Sequence, residues 1–346
     1  MISTYIPHLS RKAETNLLDV YRSGWFSRGK YNERVEERLK EKFGFKYALL
    51  VNTGTHAVHL CACVLKHFTT YVEIDVPDNV YTAAVSPFVR EQYTLFNHTP
   101  SSETWCSELS GEHNVGLAVH NINSIVDVRN VKKKYTYVVE DCCESFGGKY
   151  GNHYVGTLAD CGAFSFYINK NITCGEGGLF VTKHKEFYDY AKLIFAQGLS
   201  DTKFIHSVIG YNYRMTEFQA AILDAQLDDF DMIMQKKREL FSRYYDAFEE
   251  DRFILQKQSP DTTPSNWMFG LGIKGKFAKD LISRMQSNGV DARPMFCPLN
   301  RHGYTTKLEE SQESLDLWRS IVIIPSYSDL KPHEVDYIIK TIQSIK

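Results

Sequence analysis

Long hydrophobic runs are missing from this sequence. Stretches such as Tyr47-Ala-Leu-Leu-Val51 and Ile321-Val-Ile-Ile324 stop far short of the ~18 residues that a membrane-spanning helix needs. The opening MISTYIPHLSRKAETN has no basic start followed by an apolar stretch, so no secretory leader is expected. An excess of one charge is missing too. Forty Lys and Arg face 42 Asp and Glu, a net charge of −2. That balance offers no handle to nucleic acid or to an anionic membrane. The eight cysteines form no pair of CxxC knuckles, so no metal site is expected. Several lie inside apolar patterns, as reduced thiols do, and the expected location is cytoplasmic. No internal repeat and no low-complexity tract is visible.

What remains is an ordinary globular chain, 43% hydrophobic and 24% charged over 346 residues. That length suggests about two domains. The first two thirds alternate apolar runs with helical patterns. Strands are expected at Tyr47–Val51, Tyr71–Val76, Tyr93–Phe96, Val115–His120, Tyr135–Glu140, Cys161–Tyr167 and Leu179–Thr182. Helices are expected between most of them, as at Thr55–Phe68, Tyr81–Arg90 and Val126–Lys134. Such alternation predicts an α/β domain with a mainly parallel sheet. Thr216 and Gln219 have capping-box spacing and open a long helix that runs to about Phe248. Beyond it come a strand at Trp267–Ile273, a helix at Phe277–Ser287 stopped by Asn288-Gly289, a strand near Val290–Arg293 and a helix at His333–Ile345. The expected division is a large domain over residues 1–232 and a smaller α+β domain over 233–346.

Four segments carry chemistry. Asn52-Thr53-Gly54-Thr55 follows a strand and opens a helix; free N–H groups there suit a phosphate, although an ordinary threonine cap has the same look. Glu140 and Asp141 end a buried strand run, at the edge where open α/β sheets bind ligands; a helix-capping aspartate reads the same way. Ser165 and Lys170 lie on and just after an apolar strand, ahead of the glycine-rich Gly175-Glu-Gly-Gly178. A lysine in a half-buried pocket has a depressed pKa and can act as a nucleophile, whereas most lysines are solvated. Gly210-Tyr-Asn212-Tyr-Arg214-Met215 crowds polar and aromatic residues before the long helix. A loop there could reach across a dimer interface, or simply cap the helix over core aromatics.

A phosphate nest, a carboxylate for a pyridinium nitrogen and a lysine for an aldehyde together match the needs of pyridoxal 5'-phosphate (PLP). The sequence resembles the sugar aminotransferases of the DegT/StrS family, PLP enzymes of the aspartate-aminotransferase fold (fold type I). The likeness runs nearly end to end, through SGWFSRG (23–29), NTGT (52–55), Glu140-Asp141, FSFYINK with GEGG (164–178), GYNYRMTEFQAAILDAQL (210–227) and LKPHE (330–334). The resemblance implies that Lys170 binds the cofactor aldehyde and Asp141 the ring nitrogen. Gly54, Thr55 and Ser165 would hold the phosphate, with Asn212 supplied by the second subunit of a homodimer. Tyr81 would stack on the ring. Glu144 stands near the phenolic oxygen, where many members have Gln or His. Trp25, Ser27, Arg214 and Arg293 would lie on the substrate side.

The family usually carries a longer segment between Phe96 and Val115 and often has His at the position of Asn300. The stretches Asp291-Ala-Arg-Pro-Met-Phe-Cys-Pro-Leu299 and Ser265-Asn-Trp-Met268 are similar to those of perosamine-synthase-type members. The implied reaction moves an amino group from L-glutamate to C4 of a UDP- or dTDP-linked 4-keto-6-deoxyglucose, the viosamine type. A GDP-perosamine type, or a C3 aminotransferase, is the nearest alternative. Members that act as sugar dehydratases usually carry His in place of the reactive lysine, and Lys170 argues against that chemistry. The intact Lys170, Asp141 and Ser165 also argue against a non-catalytic, ligand-sensing relative. His56 and His59 share a helix face, with no nearby carboxylate in the sequence to complete a metal site.

Overall fold

The computed structural model describes every residue except Thr306 and Lys346. Seven strands form its main sheet: β1 (Tyr47–Val51), β2 (Glu73–Pro77), β3 (Thr94–His98), β4 (Val115–Val119), β5 (Tyr137–Asp141), β8 (Cys161–Ser165) and β9 (Gly178–Thr182). Two short strands, β6 (Lys149–Tyr150) and β7 (His153–Tyr154), lie outside it. The order is β1-β9-β8-β5-β4-β2-β3. The run from β8 to β3 is parallel, whereas β9 pairs antiparallel with both β8 and β1. The sheet is therefore mixed and mainly parallel, and the fold is α/β. All five residues of β4, β8 and β9 are buried, as expected for strands covered on both faces.

Helices cover those faces. Residues 57–65 of α3 (Gly54–Phe68) are all buried, because the helix lies between the sheet and α6 (Lys185–Phe195). On the other face α1 (Arg11–Ser23) and α2 (Lys30–Phe43) pack against α7 (Glu217–Ala247). The Thr216–Gln219 capping box forms at the start of α7. Buried Asp224 on α7 takes Arg34 Nε at 2.9 Å and Arg38 Nη1 at 2.8 Å. The expected helix at Tyr81–Arg90 is broken into a 3₁₀ turn at Thr82–Ala84 and α4 (Ser86–Arg90), while the one at Val126–Lys134 forms as α5 (Val128–Lys134). Pro87 has no N–H to continue a helix from the preceding turn.

The last third of α7 enters a second core. There Leu240, Phe241 and Tyr244 pack with Phe269, Leu271, Val322 and Ile338. A second sheet crosses that core in the order β10-β12-β14-β13, with β10 at Phe253–Leu255, β12 at Phe269–Ile273, β13 at Arg293–Pro294 and β14 at Val322–Ile324. Thr262–Thr263 (β11) pairs instead with β6. Three helices, α8 (Ala278–Ser287), α9 (Gln312–Ser320) and α10 (Pro332–Ser344), complete this part. The strand expected near Val290–Arg293 is shorter, because Val290 bridges Ile2 and Asp291 accepts from the Thr4 hydroxyl at 2.8 Å. The first residues thus pack against the C-terminal core.

Asp160 anchors the start of β8. Burial alone would raise its pKa, but the Val138 N–H, His184, Lys183 and Lys132 outweigh that and hold it at about 2. A carboxylate whose folded pKa is depressed stabilises the fold above its unfolded pKa, and that contribution fades as pH falls through the folded value. Asp160→Asn is expected to cost about 1–2 kcal/mol at pH 7, allowing for solvent screening at the lysines. The gap from the parent protein should close between the ordinary value of 3.8 and about 2. Denaturant titrations across that range check it; a constant gap would contradict it.

Candidate active site

The carboxyl ends of β4, β5 and β8 open into a cavity of ≈ 490 Å³, within the size range of small-molecule and cofactor sites. Seven of the expected site residues line it: Gly54, Thr55, Tyr81, Asp141, Glu144, Ser165 and Lys170. They come from four separate stretches of chain. The sheet brings them together because its parallel strands all point their carboxyl ends to one edge.

One wall is the N-terminus of α3. The Thr53 side chain caps it by accepting the His56 N–H at 3.2 Å, and the Thr53 carbonyl accepts from Ala57. Among the described residues the N–H groups of Gly54 and Thr55 have no acceptor. Two free donors at a helix N-terminus form an anion site. The Ser165 hydroxyl faces them and accepts only a long bond, 3.3 Å from the Tyr167 N–H. A Cβ at Gly54 would meet Ser165 Cβ at 2.7 Å, so a larger residue would fill the cradle. Gly178 answers a second close approach: a Cβ there would stand 2.2 Å from the Thr53 carbonyl oxygen. The glycine-rich run therefore lets two backbones cross beneath the anion site.

The opposite wall holds the charges. Asp141 ends β5, almost fully buried, with Oδ1 accepting the Cys143 N–H at 2.9 Å. Burial raises the pKa of Glu144 to about 7, against the pull of Lys170 and of the Ile122 N–H, which donates to Oε2 at 2.8 Å. Burial also lowers the pKa of Lys170, opposed by the nearby Glu144. The Lys170 Nζ lies 3.8 Å from the centre of the Trp267 ring, a cation–π contact. Tyr81 stands at the mouth, 59% exposed, with its ring 5.8 Å from that of Phe296.

Five expected residues lie outside this cavity. Trp25 and Ser27 are exposed on the loop before α2. Arg293 is exposed and pairs with Asp291 at 3.2 Å. Asn212 is exposed, and its Oδ1 accepts from Arg214 Nε at 3.1 Å. Its neighbours Tyr211 and Tyr213 stack on each other, and Tyr213 also stacks on His56, with ring centres 3.8 Å apart. That arrangement leaves Asn212 facing outward.

Trp267, Tyr167, Asn169, Phe296 and Glu176 also line the cavity without having been assigned roles from the sequence. Trp267 and Phe296 return from the C-terminal part, and no local pattern signals such a return. A carboxylate does reach one of the two α3 histidines: Glu91 Oε1 lies 2.8 Å from His59 Nε2, with Cys63 close by. The other nitrogen, Nδ1, is 2.8 Å from the Tyr213 hydroxyl, so both ring nitrogens are engaged.

Residues 7–343 match the profile of the DegT/DnrJ/EryC1/StrS aminotransferase family. The chain is 32% identical to the GDP-perosamine synthase of Escherichia coli O157:H7, over 99% of this chain and 97% of that protein. It is 25% identical to the UDP-4-amino-4,6-dideoxy-N-acetyl-beta-L-altrosamine transaminase of Helicobacter pylori, over 98% and 97%. In structure it superposes on the sugar aminotransferase CalS13 of Micromonospora echinospora with a TM-score of 0.91, at 20% identity and over the whole of both chains.

Proposed function

Because this chain belongs to the DegT/DnrJ/EryC1/StrS aminotransferase family, we propose that it moves an amino group from L-glutamate to C4 of a nucleotide-linked 4-keto-6-deoxyhexose. It is a PLP-dependent nucleotide-sugar aminotransferase with the fold-type-I architecture. The observation that carries the finer reading is the 32% identity to a GDP-perosamine synthase along almost the whole chain. That likeness favours a GDP-linked acceptor over the UDP- or dTDP-linked one expected from the sequence.

The cavity's donor set fits the cofactor. Two free N–H groups and a hydroxyl face one end, a carboxylate stands at β5, and a half-buried amine completes the set. When bound, PLP supplies an aldehyde that takes up an amine and a ring that spreads negative charge. Gly54, Thr55 and Ser165 would bind the phosphate, and Asp141 would hold a proton on the ring nitrogen. Lys170 Nζ would bind the aldehyde carbon. Once released, its amine would take the proton from the α-carbon of the amino donor. Burial lowers its pKa, which favours the neutral amine that this task requires. Glu144, with a pKa of about 7, would hold an exchangeable proton beside that amine. Tyr81 and Phe296 would shield the site from water at its mouth.

The reading is tested by incubating enzyme, PLP and L-glutamate with GDP-, UDP- and dTDP-linked 4-keto-6-deoxyhexoses. The GDP-linked sugar is expected to yield a C4 amine, identified by mass and NMR. A panel in which no sugar gains nitrogen would sink it.

The site would be completed in a homodimer, with Asn212 of each subunit reaching the phosphate end of the other. Two features support this: Asn212 lies outside its own cavity, and the adjoining loop exposes Leu199, Phe204, Ile205 and Ile209. Asn212→Ala is expected to weaken PLP binding about tenfold, the value of one hydrogen bond to a charged group. Equilibrium dialysis of a variant shown to be dimeric reads the effect, and unchanged binding would remove Asn212 from the site.

A further inference from the structure

Lys237 on α7 is buried at 4% exposure. Among the described residues no carboxylate pairs with it. Its Nζ instead donates to two main-chain carbonyls, those of Trp267 (2.6 Å) and Ser326. A buried ammonium without a counter-charge is costly, and burial lowers its pKa to about 7. Nothing in the transfer chemistry uses it directly.

Its place explains why it is there. Trp267 leads into β12 and Ser326 follows β14, so one amine ties α7 to both crossings between the two cores. The indole of Trp267 then makes two contacts toward the cavity. Its Nε1 donates to the Asn169 carbonyl at 2.9 Å, and its ring lies 3.8 Å from Lys170 Nζ. Lys237, Trp267, Asn169 and Lys170 also line one void of ≈ 20 Å³, room for no more than about one water. The contacts therefore run from α7, through one carbonyl and one indole, to the peptide and the amine of Lys170.

We propose that Lys237 is a positioning residue: by clamping the Trp267 carbonyl to α7, it sets the indole plate against which Lys170 rests and so fixes the reach of the Lys170 amine. This rests on Lys170 being the reactive amine. A small displacement of a reacting group is felt strongly in the rate and weakly in substrate affinity, because only the aligned geometry reacts. Lys237→Met keeps an unbranched side chain one atom shorter and removes every donor. Lys237→Gln keeps two N–H donors without the charge.

The test uses the PLP-loaded enzyme. Lys237→Met is expected to lower kcat about tenfold with KM for both substrates inside about twofold. It should also move the pH midpoint of the visible absorbance band by about half a unit, as the surroundings of Lys170 change. Lys237→Gln should recover most of both effects. Trp267→Phe, which keeps the clamped carbonyl and loses the indole, should shift the midpoint in the same direction. The double variant Lys237→Met/Trp267→Phe should add nothing to the larger single effect. An unchanged kcat and midpoint in Lys237→Met, whatever its melting temperature, overturns the proposal, as do additive effects or a Gln variant no better than Met. If Lys237→Met is insoluble, an unshifted band in Trp267→Phe overturns it alone. Borohydride trapping and peptide mapping of the parent separate the two failures. An adduct on another lysine sinks the site assignment and this proposal together, while an adduct on Lys170 with no response to these variants sinks only the proposal.

Discussion

Lys170→Ala is expected to fold normally and to lose transamination by at least about 10⁴-fold, because one amine would serve both as nucleophile and as proton carrier. Stability should survive for a physical reason. Lys170 is half-buried in a pocket that already disfavours its charge, and the substitution removes a group that costs free energy to hold there. Glu144 then loses the cation that lowers its pKa. It is expected to take up a proton and remain as a neutral, hydrogen-bonded carboxyl on the Ile122 N–H. The Gly54–Ser165 cradle is untouched, so the variant should still bind PLP, without the covalent adduct. Three measurements check this: a thermal melt, mass spectrometry after borohydride treatment, and end-point assay of amino-sugar formation. Full activity in this variant would refute the assignment of the whole site.

Asp141→Asn is expected to lower kcat about 10²- to 10³-fold, the usual cost of removing one preorganised electrostatic contact from a reacting centre. The amide has the same shape, and its oxygen can still accept the Cys143 N–H that Asp141 Oδ1 accepts at 2.9 Å. What disappears is the negative charge at the carboxyl end of β5, the group proposed to keep a proton on the ring nitrogen. KM should change little, because the contact strengthens only as negative charge builds up on the ring. Steady-state kinetics with both substrates separate kcat from KM. A kcat within about twofold of the parent would remove Asp141 from the chemistry.

The parts of this protein legible in its sequence are those set by local pattern. The apolar runs Tyr47–Val51 and Cys161–Ser165 are strands because four buried residues in a row in the first and five in the second suit a strand covered on both faces. The Thr216–Gln219 spacing forms its capping box. The helix expected over Tyr81–Arg90 breaks at Val85, two residues before Pro87, whose missing N–H outranks the apolar periodicity around it. The apolar stripes of the amphipathic α1 and α2 acquire meaning only against α7.

The same division holds for the site. Glu217 at the start of α7 is a plain acidic residue in sequence. In the fold its carboxylate accepts from the Gly29, Tyr31 and Asn32 N–H groups at 2.7, 2.9 and 3.1 Å, and so caps α2 from 185 or more residues away. Trp267 gains its role only because the C-terminal core returns it beside Lys170.

By itself the sequence determined the alternating α/β plan, the small-residue helix start at Thr53-Gly54-Thr55, the lysine that follows a buried strand and, through its motifs, the family and the cofactor. These are properties of neighbours along the chain, where backbone propensity and hydrophobic period act directly. The tertiary structure alone decided that β9 runs antiparallel, that Glu91 meets His59, that Asn212 faces outward, and that Lys237 has carbonyls for partners instead of a carboxylate. Contacts of that kind join residues far apart in the chain. They depend on which surfaces remain to be covered once the local elements have formed, and no short stretch of sequence encodes that choice.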